Sequence, residues 1–79
     1  MNTSNTNDYS VFKDALGKRI QLLRTAASLT QEALAANSGL TRTTIVDIEK
    51  VATNTTLEVL DPIASALGLK VPDLFSSGV

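Results

Sequence analysis

The residues best suited to chemistry are the hydroxyl groups of Thr41, Thr43 and Thr44 and the guanidinium group of Arg42. Hydroxyls donate and accept hydrogen bonds, and a guanidinium presents a planar fork of donors that fits a phosphate or the edge of a guanine. Catalysis has little material, because the 79 residues include no Cys and no His, and the eight acidic residues are scattered along the chain. We therefore predict a binding protein, not an enzyme, with no catalytic residue, metal or cofactor.

Two short helical patterns surround these residues and would position them. Residues 31–38 form the first pattern, Gly39 interrupts it, and residues 41–49 form a second pattern anchored by Ile45 and Ile48. A glycine tolerates the positive φ of a tight turn between two helices, and apolar anchors bury one side of the second helix. The outer side of that helix would then carry Thr41, Arg42, Thr43 and Asp47.

Three further helices are predicted around this pair. Apolar residues recur at helical spacing over residues 11–27 and 57–67, Thr30 and Thr56 are suitable caps, and residues 69–75 form a short last helix. We expect residues 1–8 to be a disordered polar tail and residues 9–79 to be one all-α domain. The predicted core consists of Leu16, Ile20, Leu34, Ile45, Ile48, Leu60, Ile63 and Leu67.

The overall charge allows two kinds of partner. A net charge of −1 and a pI of about 5.1 favour a protein partner, since nucleic-acid-binding domains are usually basic. Local charge matters more than net charge, and four of the seven basic residues lie on the first helix while Arg42 opens the third. No apolar run approaches the ~20 residues of a membrane span, and the polar start does not resemble a signal peptide. We expect a cytoplasmic protein with no membrane partner.

From about Phe12 to Phe75 the chain resembles the lambda-repressor-like (Cro-type, Xre-type) helix-turn-helix family, most closely in the window QEALAANSGLTRTTIVDIEK, residues 31–50. The resemblance implies a five-helix bundle in which the second motif helix enters the major groove of DNA and the first lies across the backbone. It implies phosphate contacts from Gln31 and Lys50, and a guanine contact from Arg42. The full set of implied DNA-binding residues is Gln31, Thr41, Arg42, Thr43, Thr44, Val46, Asp47 and Lys50.

Several of these residues have a simpler interpretation. Thr41 is more readily a helix cap than a base reader, and Arg42 could be merely solvated. Asp47 repels phosphate, so it is either a tolerated surface acid or an acceptor for a cytosine amine. By resemblance, Arg24 and Glu49 form a buried ion pair, and the loop after Lys50 departs from the family because it contains neither glycine nor proline.

These observations lead to one favoured function and one alternative. The favoured function is a transcriptional regulator that binds a palindromic operator as a homodimer, as restriction–modification controllers and phage-type regulators do, and that acts by blocking or touching RNA polymerase. The alternative is a protein-interaction module or antitoxin component with weak or no DNA binding. We expect some of the apolar residues at the last helix, from among Val71, Leu74, Phe75 and Leu69, to form the dimer contact.

Overall fold

The computed structural model describes the backbone of residues 4–51 and 56–75, and the side chains of residues 12–50 and 56–75. Within these ranges the chain folds into helices and contains no strand. The five helices are α1 (Ser4–Ala26), α2 (Gln31–Ser38), α3 (Arg42–Val51), α4 (Leu57–Ala66) and α5 (Val71–Phe75). The predicted all-α five-helix bundle is confirmed. No helix in the described part of the chain is long and apolar enough to cross a membrane.

Helix α1 begins at Ser4, seven residues before the apolar pattern that predicted it. Residues 4–8 were expected in a disordered tail, and their backbone is helical instead; residues 1–3 of that tail lie outside the described residues. Extending an existing helix adds one hydrogen bond for each residue fixed, so a packed helix can continue into a polar segment that has no apolar stripe of its own.

The turns that frame α2 follow the predicted chemistry. Thr30 has an extended backbone, and its hydroxyl accepts a hydrogen bond from the N–H of Ala33 at 3.0 Å. Gly39 has φ +73°, and the N–H of Leu40 donates to the carbonyl of Ala35 at 3.0 Å. This is the left-handed helix end at which glycine carries no steric penalty. The two turns fix the beginning and end of α2.

The core lies where the helices meet, and it contains nearly all of the predicted residues. Seven of the eight are buried, and Leu67 is partly buried against them. Phe12 falls within the apolar pattern predicted for residues 11–27, but it is 43% exposed and stacks on Phe75 outside the core. Leu74 is 1% exposed and belongs to the core, so of the four candidates for the dimer contact it is the one that the fold already buries.

Helices α1 and α3 approach each other closely at Gly17. A methyl group at this position would lie 2.6 Å from the carbonyl oxygen of Ile48 and 2.7 Å from that of Glu49. Real side chains do not tolerate such distances from a backbone atom, so the crossing of α1 over α3 requires glycine here. The orientation of α3 is therefore set by a backbone contact as well as by side-chain packing.

Candidate nucleic-acid interface

Helix α3 has two sides of opposite character. Ile45 and Ile48 are fully buried, and Glu49 is 8% exposed. The other side faces outward, with Val46 and Thr44 half-buried at its margins. Its exposed residues are Thr41 (the cap), Arg42, Thr43, Asp47 and Lys50. The structure thus brings together seven of the eight residues implied by the resemblance, on one helix and one face.

Thr41 caps helix α3. Its hydroxyl oxygen accepts from the N–H of Thr44 at 3.1 Å, and the two threonine hydroxyls lie 2.9 Å apart and share a hydrogen bond. The simpler interpretation of Thr41 is confirmed. Because the cap fixes the first turn of α3, it also fixes the direction in which Arg42 and Thr43 leave the helix.

The ion pair between Arg24 and Glu49 is present and buried. The guanidinium donates to both carboxylate oxygens of Glu49, with Nε to Oε2 at 2.6 Å and Nη2 to Oε1 at 3.1 Å. The side chains are only 10% and 4% exposed. The remaining nitrogen Nη1 of Arg24 donates to the carbonyl of Leu29 at 2.7 Å. One arginine on α1 therefore connects the turn before α2 with the last part of α3, and a two-pronged pair of this kind also fixes geometry.

Gln31, the eighth residue implied by the resemblance, lies at the first position of α2. Its side-chain nitrogen Nε2 donates to Oε1 of Glu49 at 3.1 Å, and the residue is half-buried. Gln31 was expected to hold a phosphate with its amide group. The structure engages one N–H of that amide with Glu49, and so links the beginning of α2 to the Arg24–Glu49 pair. The amide nitrogen carries a second N–H, so this bond does not contradict a phosphate contact.

Arg42 has an acidic neighbour on the exposed surface. Its Nε lies 4.0 Å from Oε2 of Glu32 on α2, and the two side chains are 60% and 77% exposed. Such a pair contributes about 0–1 kcal/mol to stability. It bridges the two motif helices on their outer surface, beside the residues expected to meet DNA.

Sequence reasoning missed the partner of Arg42, the second role of Gln31 and the close approach at Gly17. Gly17 could have been found from the sequence, because a glycine inside an otherwise helical pattern costs about 1 kcal/mol relative to alanine. Such a glycine usually marks a close contact in the packing. Glu32 lies in the first turn of α2, where an acidic residue suits the helix dipole, and its sequence position alone gives no reason to pair it with Arg42. Its distance to Arg42 depends on the angle between two helices, which periodicity does not give.

Lys50 is exposed at the last turn of α3. The loop that follows it was expected to depart from the family in shape and in its phosphate contacts. Residues 52–55 of that loop lie outside the described residues.

A short helix with a buried side and a polar exposed side, held at a sharp turn against a second short helix, defines a helix-turn-helix domain. The comparison with known families agrees. The helix-turn-helix family model matches residues 20–74, which include α2, α3 and α4 entirely. The chain belongs to this family, whose members are DNA-binding transcription regulators and not enzymes.

Three known proteins show the range of the similarity. The control protein C.SmaI of Serratia marcescens is 39% identical over 64 residues, which cover 81% of this chain and 76% of that protein. An immunity repressor protein of Bacillus phage phi105 is 39% identical over 56 residues, covering 71% of this chain but only 39% of the repressor. The restriction-modification controller protein C.AhdI of Aeromonas hydrophila has a similar structure, with a TM-score of 0.75 and 37% identity over 78% of this chain and 94% of that one.

Proposed function

We propose that this protein regulates transcription by binding a palindromic operator as a homodimer, in the cytoplasm, where the DNA is accessible to it. The observation that carries the proposal is the two-sided character of α3, with its apolar anchors fully buried and its polar residues exposed in one row. A helix presented in this way fits the major groove, where base edges differ in their hydrogen-bonding pattern.

Arg42 is the proposed base reader. It is the cation at the beginning of α3, its side chain is 60% exposed, and its fork of donors matches O6 and N7 of guanine. Around it, Thr43, Thr44 and Val46 offer methyl groups for thymine, while Asp47 can accept from a cytosine amine.

Two flanking regions would hold the DNA backbone. Lys50 offers an exposed ammonium group for one phosphate. At the other end, the backbone N–H groups in the first turn of α2 suit a phosphate, and the hydrogen bond from Gln31 to Glu49 holds that turn in place. Thr41 acts at this interface mainly as the cap of α3.

The homodimer would form through a groove between α4 and α5. Leu57 is 66% exposed there, and Leu69 and Val71 line the same groove. A second copy related by a twofold axis would cover these residues and place two α3 helices in half-sites roughly 34–36 Å apart. Leu57→Asp should therefore shift sedimentation at tens of micromolar from dimer to monomer, whereas Leu22→Asp on α1, whose leucine is equally exposed, should not. A monomeric wild-type protein, both free and on operator DNA, would refute the dimer.

The similarity to C.SmaI and C.AhdI favours a restriction–modification controller, with a phage-type regulator as the next choice. Regulation would follow from occupancy of the operator, by obstruction of RNA polymerase or contact with it. The alternative is a protein-interaction module or antitoxin component. The net charge of −1 and the exposed Asp47 on the recognition face favour that alternative.

Selection of binding sites from random duplexes, followed by titration of variants, tests the proposal. Arg42→Ala should weaken operator binding by about tenfold or more and relax the preference at one base pair in each half-site, as expected for the ~1–3 kcal/mol of a bidentate contact. Lys50→Ala should weaken binding to every sequence and flatten the salt dependence. Equal losses on specific and random DNA would make Arg42 a phosphate contact. If the wild type selects no sequence, the protein-interaction function replaces the regulator.

A further inference from the structure

The acidic side chain of Glu32 lies beside the proposed DNA-binding face, where a negative charge opposes binding. It follows Gln31 at the beginning of α2, it is 77% exposed, and its nearest described cation is Arg42, at 4.0 Å across the helix-turn-helix. Neither residue is buried, so the pair is not needed for the core. Its position points to a role in recognition instead.

We propose that Glu32 is a positioning residue that keeps Arg42 from contacting phosphates and so raises the discrimination between operator and random DNA. The inference rests on the proposed function, because it assumes that Arg42 reads a base. Glu32 neutralises Arg42 while no guanine is within reach, and it holds the guanidinium near the outer surface of α2 and α3.

The weakness of this pair is what allows it to act as a discriminator. An exposed ion pair changes an equilibrium by about fivefold at most, whereas a bidentate guanine contact strengthens binding by roughly five- to 150-fold. On the operator, Arg42 leaves Glu32 for guanine. On random DNA the available phosphate contact is opposed by the carboxylate, so Arg42 stays with Glu32 and one fewer counterion is released.

The salt dependence of binding to random DNA measures directly whether Arg42 contacts a phosphate there. In Glu32→Gln, Arg42 becomes available to a phosphate, so the plot of log K against log salt should steepen by about 0.9, the increment for one added phosphate contact. Affinity for random duplex should rise by about fivefold at low salt, which is roughly 1 kcal/mol. Affinity for the selected operator should rise less, so the ratio of the two affinities falls.

Two further variants separate positioning from a simple change in net charge. Asp14→Asn removes the same charge from an exposed residue of α1, a helix that carries none of the proposed DNA contacts. This variant should leave the salt slope unchanged. In the double variant Glu32→Gln with Arg42→Ala, the added slope should disappear, because Glu32 acts through Arg42. Circular dichroism spectra and urea midpoints of all variants should match the wild type.

The outcomes distinguish this inference from the proposed function. If Glu32→Gln and Asp14→Asn change the slope equally, or if the added slope persists without Arg42, Glu32 repels DNA directly and the inference is overturned. If the wild type selects an operator and Glu32→Gln leaves the ratio of affinities unchanged, the inference fails while the proposed function stands. If the wild type selects no operator, the proposed function fails, and the inference, which assumes that Arg42 reads a base, fails with it.

Discussion

The replacement of Glu49 by alanine tests the central structural claim, that a buried ion pair holds α3 in place. The carboxylate of Glu49 accepts hydrogen bonds from Arg24 and from Gln31, and its side chain is 4% exposed. Removing it leaves the guanidinium of Arg24, itself 10% exposed, without its charge partner in a site that water hardly reaches. Breaking a buried pair in this way costs about 3–5 kcal/mol.

That cost is large for a chain of this length. A domain of 79 residues has a total unfolding free energy of about 4–12 kcal/mol, at roughly 0.05–0.15 kcal/mol per residue. We therefore expect Glu49→Ala to lose a large part of its free energy of unfolding. Because a small domain loses about 1–1.5 kcal/mol per molar urea, the midpoint should fall by about 2 M or more. Circular dichroism suits this measurement, since the protein is helical and has no tryptophan.

Two controls make the result specific to the pair. Glu58→Ala removes an exposed glutamate from the first turn of α4 and should change stability by no more than about 1 kcal/mol. Replacing Arg24 and Glu49 together by methionine should recover most of the loss, because the stranded charge is then gone. Equal, small midpoint shifts for Glu49→Ala and Glu58→Ala would refute the reasoning, since they would mean that the pair is not desolvated.

Three other experiments test the packing. Gly17→Ala should destabilise the protein by about 1–3 kcal/mol in thermal melts, despite the better helix propensity of alanine, because its methyl group would lie 2.6 Å from the carbonyl oxygen of Ile48; a higher melting temperature would contradict this. Gly39→Ala should cost about 1–2 kcal/mol at φ +73°, and Gly39→Asn less, so equal losses would argue against the left-handed turn. The rings of Phe12 and Phe75 stack at 5.7 Å, and a double-mutant cycle to alanine should give a coupling of about 0.5–1.5 kcal/mol, where strict additivity would exclude the contact.

Periodicity predicted the helices and most of the core because burial follows directly from the spacing of apolar residues. Ile20, Ile45 and Ile63 lie on three different helices, and each is spaced three or four residues from other apolar residues of its helix. All three are fully buried. Phe12 obeyed the same spacing and is half exposed, because α1 extends past the part of the bundle that could cover it. The pattern identifies the face of a helix, but it does not show where the partner helix ends.

The proposed recognition residues could be predicted from the apolar spacing in α3 and from the family resemblance. Their side-chain partners could not, because those contacts depend on the angles between helices. Gln31 illustrates the difference. Its place at the beginning of α2 was predicted correctly, whereas its hydrogen bond joins it to Glu49 on another helix, 18 residues further along the chain. Neither hydrophobic spacing nor capping chemistry predicts the distance between the side chains of Gln31 and Glu49. The same is true of the 4.0 Å separation between Glu32 and Arg42.

The two-sided character of α3 has a consequence for how this protein can change over time. Its buried side includes Ile45, Ile48 and Glu49, whereas Arg42 and Thr43 project away from the core. Exposed substitutions away from caps and cores usually change stability by less than about 0.5 kcal/mol. Mutation can therefore alter which DNA sequence is preferred while leaving the capacity to fold almost untouched. The preferred DNA sequence can thus change while the fold stays the same. Libraries randomised at residues 42 and 43 should consist mainly of folded proteins.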